Sequence, residues 1–294
     1  MRLNTRPRRI CLVGVGLIAG SLGLALKRAE AVETITGLGR GLDRLARAQA
    51  LGAIDRYTTD PGEAIEDADL VVLGVPLGAT AGVMRDLRPH LHDDLVITDV
   101  GSAKRCVVDD VETALGAAPP GFVPGHPIAG TEHSGVEAAF PSLFDGRRVI
   151  LTPLASGRVE ATEAVEWLWR QAGAEVTTMS VAHHDRMLAI TSHLPHLLAF
   201  GLVDMLARDP DHEEILGYAA GGFRDFTRIA SSDPVMWRDI CLGNREAVLE
   251  ALSLYRRDLE QLAEKVEASD GTGLEAVFRS AKQTRDAHKH GFER

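Results

Sequence analysis

Ile10-Cys11-Leu12-Val13-Gly14-Val15-Gly16-Leu17-Ile18-Ala19-Gly20-Ser21 decides the fold. The apolar run behind Arg9 predicts a short strand, Arg9 to Val13. The pattern G-x-G-x-x-A predicts a glycine turn, and Leu22 to Ala29 reads as a helix. The first glycine permits the tight turn, the second lets a pyrophosphate approach the backbone, and Ala at the third position allows close helix–strand packing. The helix N-terminus would offer N–H groups and a positive dipole end to phosphates. Gly14, Gly16, Leu17 and Ile18 are therefore candidate cofactor contacts, with a bare tight turn as the alternative.

Downstream, strand and helix signals alternate. Thr34 to Leu38 predicts a second strand, where dinucleotide folds that prefer NAD place an acidic residue on the ribose hydroxyls. Here Gly39 and Arg40 follow instead. Arg40 could pair with a 2′-phosphate or be a solvated loop residue, so both NAD and NADP stay open. Leu42 to Leu51 predicts a helix and Glu63 to Asp67 a helical turn. The run Asp69 to Pro76 predicts a strand buried on both faces. Its end, with Val75 and Pro76, should lie beside the cofactor. A helix over Gly78 to Leu87 precedes a strand over Leu95 to Val100. Ligands of such sheets bind beyond the carboxyl ends of strands. That places Ser102 at the site, although Ser102 could equally cap a helix over Ala103 to Leu115.

Phe122-Val123-Pro124 leads into Gly125-His126-Pro127-Ile128-Ala129-Gly130-Thr131-Glu132-His133-Ser134-Gly135. This stretch has no helical or strand period and reads as a loop, where catalytic groups concentrate. His126 is a candidate catalytic residue, and a structural turn is the alternative. Strands at Arg148 to Leu151 and Glu175 to Met179 flank a helix over Val159 to Ala172, with Trp167 and Leu168 inward.

After Met179 the pattern turns helical almost throughout, which marks a domain boundary near residue 180. The division is 1–180 and 181–294. A helix over Arg186 to Leu206 contains Ser192-His193-Leu194-Pro195-His196, and Pro195 should kink it. Zinc binding by His193 and His196 lacks further ligands, so no metal is expected; a polar pair lining a cleft and satisfied core histidines remain. Arg228 has Asp225 three residues earlier on one helical face. It is either half of a structural ion pair or a fork for a substrate carboxylate. Ser231-Ser232-Asp233-Pro234 starts a helix carrying Trp237, and Leu242 to Val266 reads as a long amphipathic helix. Such helices suit a dimer seam or plain core packing.

With 42 acidic against 32 basic residues, a general nucleic-acid surface is not expected. No apolar stretch reads as long enough to span a bilayer, and the basic start has no secretory pattern. Three scattered cysteines, Cys11, Cys106 and Cys241, suggest neither a metal spacing nor a disulfide framework. A reducing cytoplasm is the expected compartment.

Taken together, Gly14 to Leu22, Asp99-Val100-Gly101-Ser102, Gly125 to Gly135, Ser192 to His196, Asp225 to Ala230 and Met236 to Asp239 resemble the prephenate dehydrogenase family, which includes cyclohexadienyl and arogenate dehydrogenases. The resemblance covers nearly the whole chain. It implies an α/β fold: an N-terminal Rossmann-type doubly wound sheet followed by an all-helical dimerisation domain, with the active site in the cleft between. It implies oxidative decarboxylation of a small anionic cyclohexadienyl substrate with NAD or NADP. On that resemblance His126 is the base on the ring hydroxyl, and Ser102 shares that hydroxyl and orients His126. Arg228 clamps a substrate carboxylate, with His193, Thr131, Gly221 and Trp237 near the substrate.

Two departures accompany it. Gly39 replaces the acidic ribose-binding residue of NAD-preferring members. No regulatory ACT domain is expected after Glu267, nor a chorismate mutase extension, so tyrosine inhibition is expected to be weak or competitive. The rivals are a β-hydroxyacid or imine-type dehydrogenase and a non-catalytic dinucleotide sensor. The first usually carries a catalytic Lys on a helix of its second domain; only Lys265, Lys282 and Lys289 stand there, all late and in polar surroundings.

Overall fold

A computed structural model describes residues 5–131 and 133–288; Glu132 and Lys289, singled out above, lie outside the described residues. The first half is built from β1 (Arg9–Val13), α1 (Leu17–Arg28), β2 (Thr34–Leu38), α2 (Leu42–Ala50), β3 (Arg56–Thr58), α3 (Pro61–Ile65), β4 (Leu70–Leu73), α4 (Thr80–Leu87), β5 (Val96–Asp99), α5 (Arg105–Leu115) and β6 (Phe122–Val123). These strands form one parallel sheet in the order β3-β2-β1-β4-β5-β6. This is the doubly wound order whose chain reversal lies between β1 and β4, where such sheets bind nucleotides.

The strands are apolar on both faces because both faces are covered. Ile10, Leu12, Leu70 and Val72 pack with Leu22, Leu26 and Leu45 of α1 and α2. Their neighbours Cys11, Val13, Val71 and Leu73 point the other way, onto Ile65, Met84, Val107 and Val111 of α3, α4 and α5. Alternation along each strand thus becomes two cores on opposite sides of one sheet.

A second, three-stranded sheet follows, with β7 (Gly125–Pro127), β8 (Arg148–Leu151) and β9 (Glu175–Thr178), and α6 (Val159–Gln171) between the last two. β7 runs antiparallel to β8, His126 opposite Ile150. The expectation of an irregular loop from Gly125 is thereby corrected at its first three residues. Three residues containing Gly and Pro show no alternation, and only pairing with a strand over twenty residues away makes them a strand. On α6 the fully buried indole is Trp169, edge-on to Phe144 at 5.1 Å, while Trp167 is only half-buried. β3 was not anticipated.

Among the described residues no strand follows Thr178. α7 (Val181–Leu188), a π-helical turn over Ala189–His193 and α8 (Leu194–Ala207) make one continuous helix. The π turn directly precedes Pro195, whose missing N–H and ring disturb the bonding one turn back. This helix is long and apolar enough to cross a membrane by length and composition, with 28% of that window buried in the chain. This corrects the expectation that no stretch is long enough: the helix begins at Val181, five residues before the expected Arg186. Next come α9 (His212–Gly217), α10 (Gly221–Thr227) and α11 (Pro234–Gly243), the last capped by Asp233 accepting from Met236 N at 2.8 Å.

The chain divides into two compact units, 1–244 and 245–294. The helix expected over Leu242 to Val266 is broken at Gly243-Asn244, so α12 spans Arg245–Glu267. A turn with Ser269 in the left-handed region (φ 54°) leads to α13 (Gly271–Ala287), capped by Asp270 on Gly273 N at 2.9 Å.

Candidate active site

The end of β5 and the start of β7 are held together by a buried ion pair. Lys104, fully buried, sets its Nζ on the Asp99 carboxylate and donates to the Gly125 carbonyl at 2.6 Å. Asp99 also accepts from Gly101 N at 2.7 Å and Gly125 N at 3.1 Å. Two buried charges are tolerable only when paired and hydrogen-bonded, as here. The consequence is a fixed backbone on the N-terminal side of His126.

His126 itself is 8% exposed. Its Nδ1 lies 2.9 Å from Nε2 of His184, and His184 Nδ1 lies 2.8 Å from Asp185 Oδ1. The tautomers follow from the partners. A carboxylate only accepts, so His184 Nδ1 carries a proton; neutral His184 Nε2 then accepts from His126 Nδ1–H. His126 Nε2 is left with its lone pair outward, and it makes no hydrogen bond among the described residues. Burial, then the neighbouring His184 and Lys104, hold the His126 pKa well below its ordinary 6.5. Burial also lowers His184, outweighing its bond to Asp185. Burial alone would raise the Asp185 carboxyl, but His184 and the Lys104 and Arg105 N–H groups hold it below its usual value.

Asp185 also caps α5, accepting from Lys104 N at 2.8 Å and Arg105 N at 2.9 Å. That corrects the reading of Ser102 as the helix cap. Neither its side chain nor that of any neighbour in its loop caps the helix, and the group that orients His126 is His184. Ser102 is half-buried in the β5–α5 connection, and its hydroxyl makes no hydrogen bond among the described residues.

A second arm starts from Asn244. Its Nδ2 donates to the Asp185 carbonyl at 2.8 Å and faces His193 Nδ1 at 3.1 Å. Because a carbonyl only accepts, the amide nitrogen is fixed there and His193 Nδ1 must accept. His193 Nε2 therefore carries the proton; it makes no hydrogen bond of full geometry, although the Ser102 backbone acts on this ring, and buried Trp237 Nε1 has no partner among the described residues. The two rings meet edge-on at 6.1 Å, and a buried donor left without a full hydrogen bond fits a ligand acceptor. Burial takes the His193 pKa to about 4, so its ring is neutral. Trp237 stacks on His196 at 3.6 Å, and burial and then Arg228 lower the His196 pKa. Arg228 is exposed and makes no ion pair among the described residues, so the structural pair with Asp225 does not form. His126 and His193 are thus joined through His184, Asp185 and Asn244, Trp237 packs on His193 and His196, and the charge of Arg228 acts on His196. Thr131 is exposed, its hydroxyl accepting from His133 N at 3.2 Å, and Gly221 begins α10; among the described residues no hydrogen bond or ion pair links either to this network.

The glycine turn adjoins β2 and β4, with Gly14 N bonded to the Leu38 carbonyl at 2.8 Å and Gly74 N to the Val13 carbonyl at 2.7 Å. Gly14 has φ +81°, and a Cβ there would stand 2.8 Å from the Gly74 carbonyl and from Val75. A Cβ on Gly16 would meet nothing within 4 Å. α1 begins at Leu17, earlier than expected, with no acidic residue in its first turn and no side chain capping it. Open space before uncapped N–H groups fits a dinucleotide pyrophosphate. Leu17 is buried, Ile18 and Val75 are half-buried, and Pro76 and Arg40 are exposed.

His184, Asp185, Asn244, Lys104 and Asp99 had not been singled out as functional. The visible signal was weak: a His-Asp pair opening the helical half, and a Lys closing the turn after β5.

Comparisons agree with this geometry. The model described as prephenate dehydrogenase, nucleotide-binding domain, matches residues 22–178, and that described as prephenate dehydrogenase, dimerization domain, matches 180–280. Cyclohexadienyl dehydrogenase of Zymomonas mobilis is 37% identical, over 96% of each chain, and prephenate dehydrogenase of Bacillus subtilis 35%, over 97% of this chain and 77% of that one. Among solved structures, prephenate dehydrogenase from A. aeolicus in complex with hydroxyphenyl propionate and NAD+ has TM-score 0.89 at 37% identity, covering 95% and 98% of the two chains. Synechocystis arogenate dehydrogenase has TM-score 0.81 at 26% identity, over 95% and 99%. With both halves matched in order, the chain belongs to the prephenate dehydrogenase family of NAD(P)-dependent oxidoreductases.

Proposed function

We propose that the chain oxidatively decarboxylates prephenate, arogenate or both, in tyrosine biosynthesis. The observation that carries this reading is the hydrogen-bonded series Asp185–His184–His126, which leaves a neutral imidazole with an outward lone pair. A bound nicotinamide would accept the hydride from C4 of the substrate ring. As that C–H bond breaks, His126 Nε2 accepts the hydrogen bond of the C4 hydroxyl and draws its proton away. The bond from C1 to the ring carboxylate then breaks, CO2 leaves, and its electron pair completes the aromatic ring. The product is a phenol with a pKa of about 10, whereas His126 lies well below 6.5. The proton therefore returns to the oxygen, and none is released overall.

Arg228 would hold a substrate carboxylate, with the His193 and Trp237 donors completing the pocket. Holding the departing carboxylate tightly would slow its loss, so Arg228 serves orientation. Ser102 keeps a proposed contact with the substrate hydroxyl, and Thr131 and Gly221 keep proposed places near the substrate. The glycine turn, Val75 and Pro76 would hold the dinucleotide. The division near residue 180 would separate these two tasks.

We place the protein in the cytoplasm as a homodimer. Its three cysteines are free, and Val203, Met205, Met236 and Leu242 are exposed apolar residues suited to a second copy. Lys282 does not take the place of a catalytic lysine, since it pairs with Asp286, and the buried Lys104 is occupied by Asp99 and Gly125. His126→Asn tests the reading. Turnover should fall by at least about a hundredfold while dinucleotide binding persists; activity within about tenfold of the parent sinks it.

A further inference from the structure

The end of β2 is where a Rossmann-type sheet distinguishes the two dinucleotides. In this fold that end touches the glycine turn directly, since the Leu38 carbonyl accepts from Gly14 N at 2.8 Å. The residues that follow are Gly39, Arg40 and Gly41, and α2 then brings Asp43, Arg44 and Arg47. Arg47 lies 3.8 Å from Glu137, but Arg40 and Arg44 make no ion pair among the described residues. Arg44 lies in the first turn of α2, with its Cδ 3.9 Å from where a Cβ on Gly41 would be. Asp43 is the one carboxylate between Leu38 and Arg47.

Resting on the dinucleotide reading of the glycine turn, we propose that Arg40, assisted by Arg44, recognises a 2′-phosphate, and that the enzyme prefers NADP+ to NAD+. The argument has two halves. A carboxylate at the end of β2 would hold the ribose hydroxyls of NAD+ and repel a 2′-phosphate; position 39 has no side chain to do either. Two arginines without ion-pair partners among the described residues then follow the end of β2 within six residues, and guanidinium–phosphate pairs are short and often bidentate.

The glycine at 39 is not forced by sterics. Its backbone is outside the left-handed region, and a Cβ would meet only Leu45 carbons, at 3.4 Å or more. Gly39→Asp can therefore be built without displacing backbone, which makes the preference reversible by design.

The test is equilibrium binding to the intact protein by titration calorimetry, with NADP+, NAD+, and the half-molecules 2′,5′-ADP and 5′-AMP. NADP+ should bind at least about tenfold tighter than NAD+, and 2′,5′-ADP tighter than 5′-AMP, as one charge-assisted contact implies. Arg40→Ala should cost NADP+ about tenfold or more and leave NAD+ within about threefold. Gly39→Asp should reverse the order. NAD+ binding as tightly as NADP+, or Arg40→Ala weakening both equally, overturns the proposal while leaving the dinucleotide site intact. Failure of every nucleotide to bind overturns it together with that site.

Discussion

His126 Nδ1 and His184 Nε2 lie 2.9 Å apart, although 58 residues separate them in the chain. The first sits on the edge strand of the small sheet and the second on α7. Their bond settles which nitrogen of His126 keeps a free lone pair, because Asp185 dictates the proton on His184 and His184 dictates the proton on His126.

His184 is accordingly a positioning residue. His184→Gln should lower kcat by up to about four orders of magnitude, the loss seen when the wrong tautomer forms in a Ser-His-Asp relay. The KM for the dinucleotide should hardly change. His184 is also one of the groups that lower the His126 pKa. Its loss should shift the acid limb of the kcat/KM profile upward toward 6.5. A change in thermal stability with an unmoved pH profile would reduce His184 to a packing residue.

In the unmodified enzyme the acid limb should lie well below pH 6.5, because His126 must be neutral to act and burial keeps it so. Steady-state kcat/KM measured across mildly acid and neutral pH should be flat near neutrality. An inflection at or above 6.5 would contradict the environment described for this ring.

Folding stability should show the matching dependence. His126, His184, His193 and His196 all have folded pKa values below the unfolded value of 6.5. Below pH 6.5 the unfolded chain binds protons that the folded chain refuses, so stability is full above 6.5 and falls as pH drops. For His193, lowered from 6.5 to about 4, the loss by pH 4 is on the order of 3 kcal/mol. Denaturant midpoints taken from pH 7 to pH 4 should fall steadily, and His193→Gln should flatten the slope. A midpoint constant over that range would count against buried neutral histidines.

Lys104→Met should be costly for a different reason. It leaves the Asp99 carboxylate buried without its cation, which destabilises by about 3–5 kcal/mol. Adding Asp99→Asn should recover part of the stability but not the activity, because Gly125 loses its anchor to the Lys104 ammonium. Chemical denaturation of the single and double variants measures the coupling. A single variant within about 1 kcal/mol of the parent would mean that water reaches this pair.

Much of the scaffold was legible because it is written in local periods. β1 and β2 run over the residues expected, since a strand covered on both faces is a short unbroken apolar run between turn residues. α11 starts at its Asp233-Pro234 cap for the same local reason. Where the signal was not periodic the reading slipped. Trp167 and Trp169 differ by two residues on one helix, and the fully buried indole is Trp169, the one that meets Phe144.

By itself, the sequence determined the doubly wound sheet and the helical second half, because strand periods and glycine turns are properties of neighbouring residues; it marked His126 as a candidate, and the base role came from the family resemblance. Only the tertiary structure decided how that histidine works. Its tautomer, its lowered pKa and its fixed backbone come from His184, Asp185, Asp99 and Lys104, groups from elements far apart in the chain. Hydrogen-bond direction and desolvation depend on what surrounds an atom in space, and no spacing along a sequence encodes that.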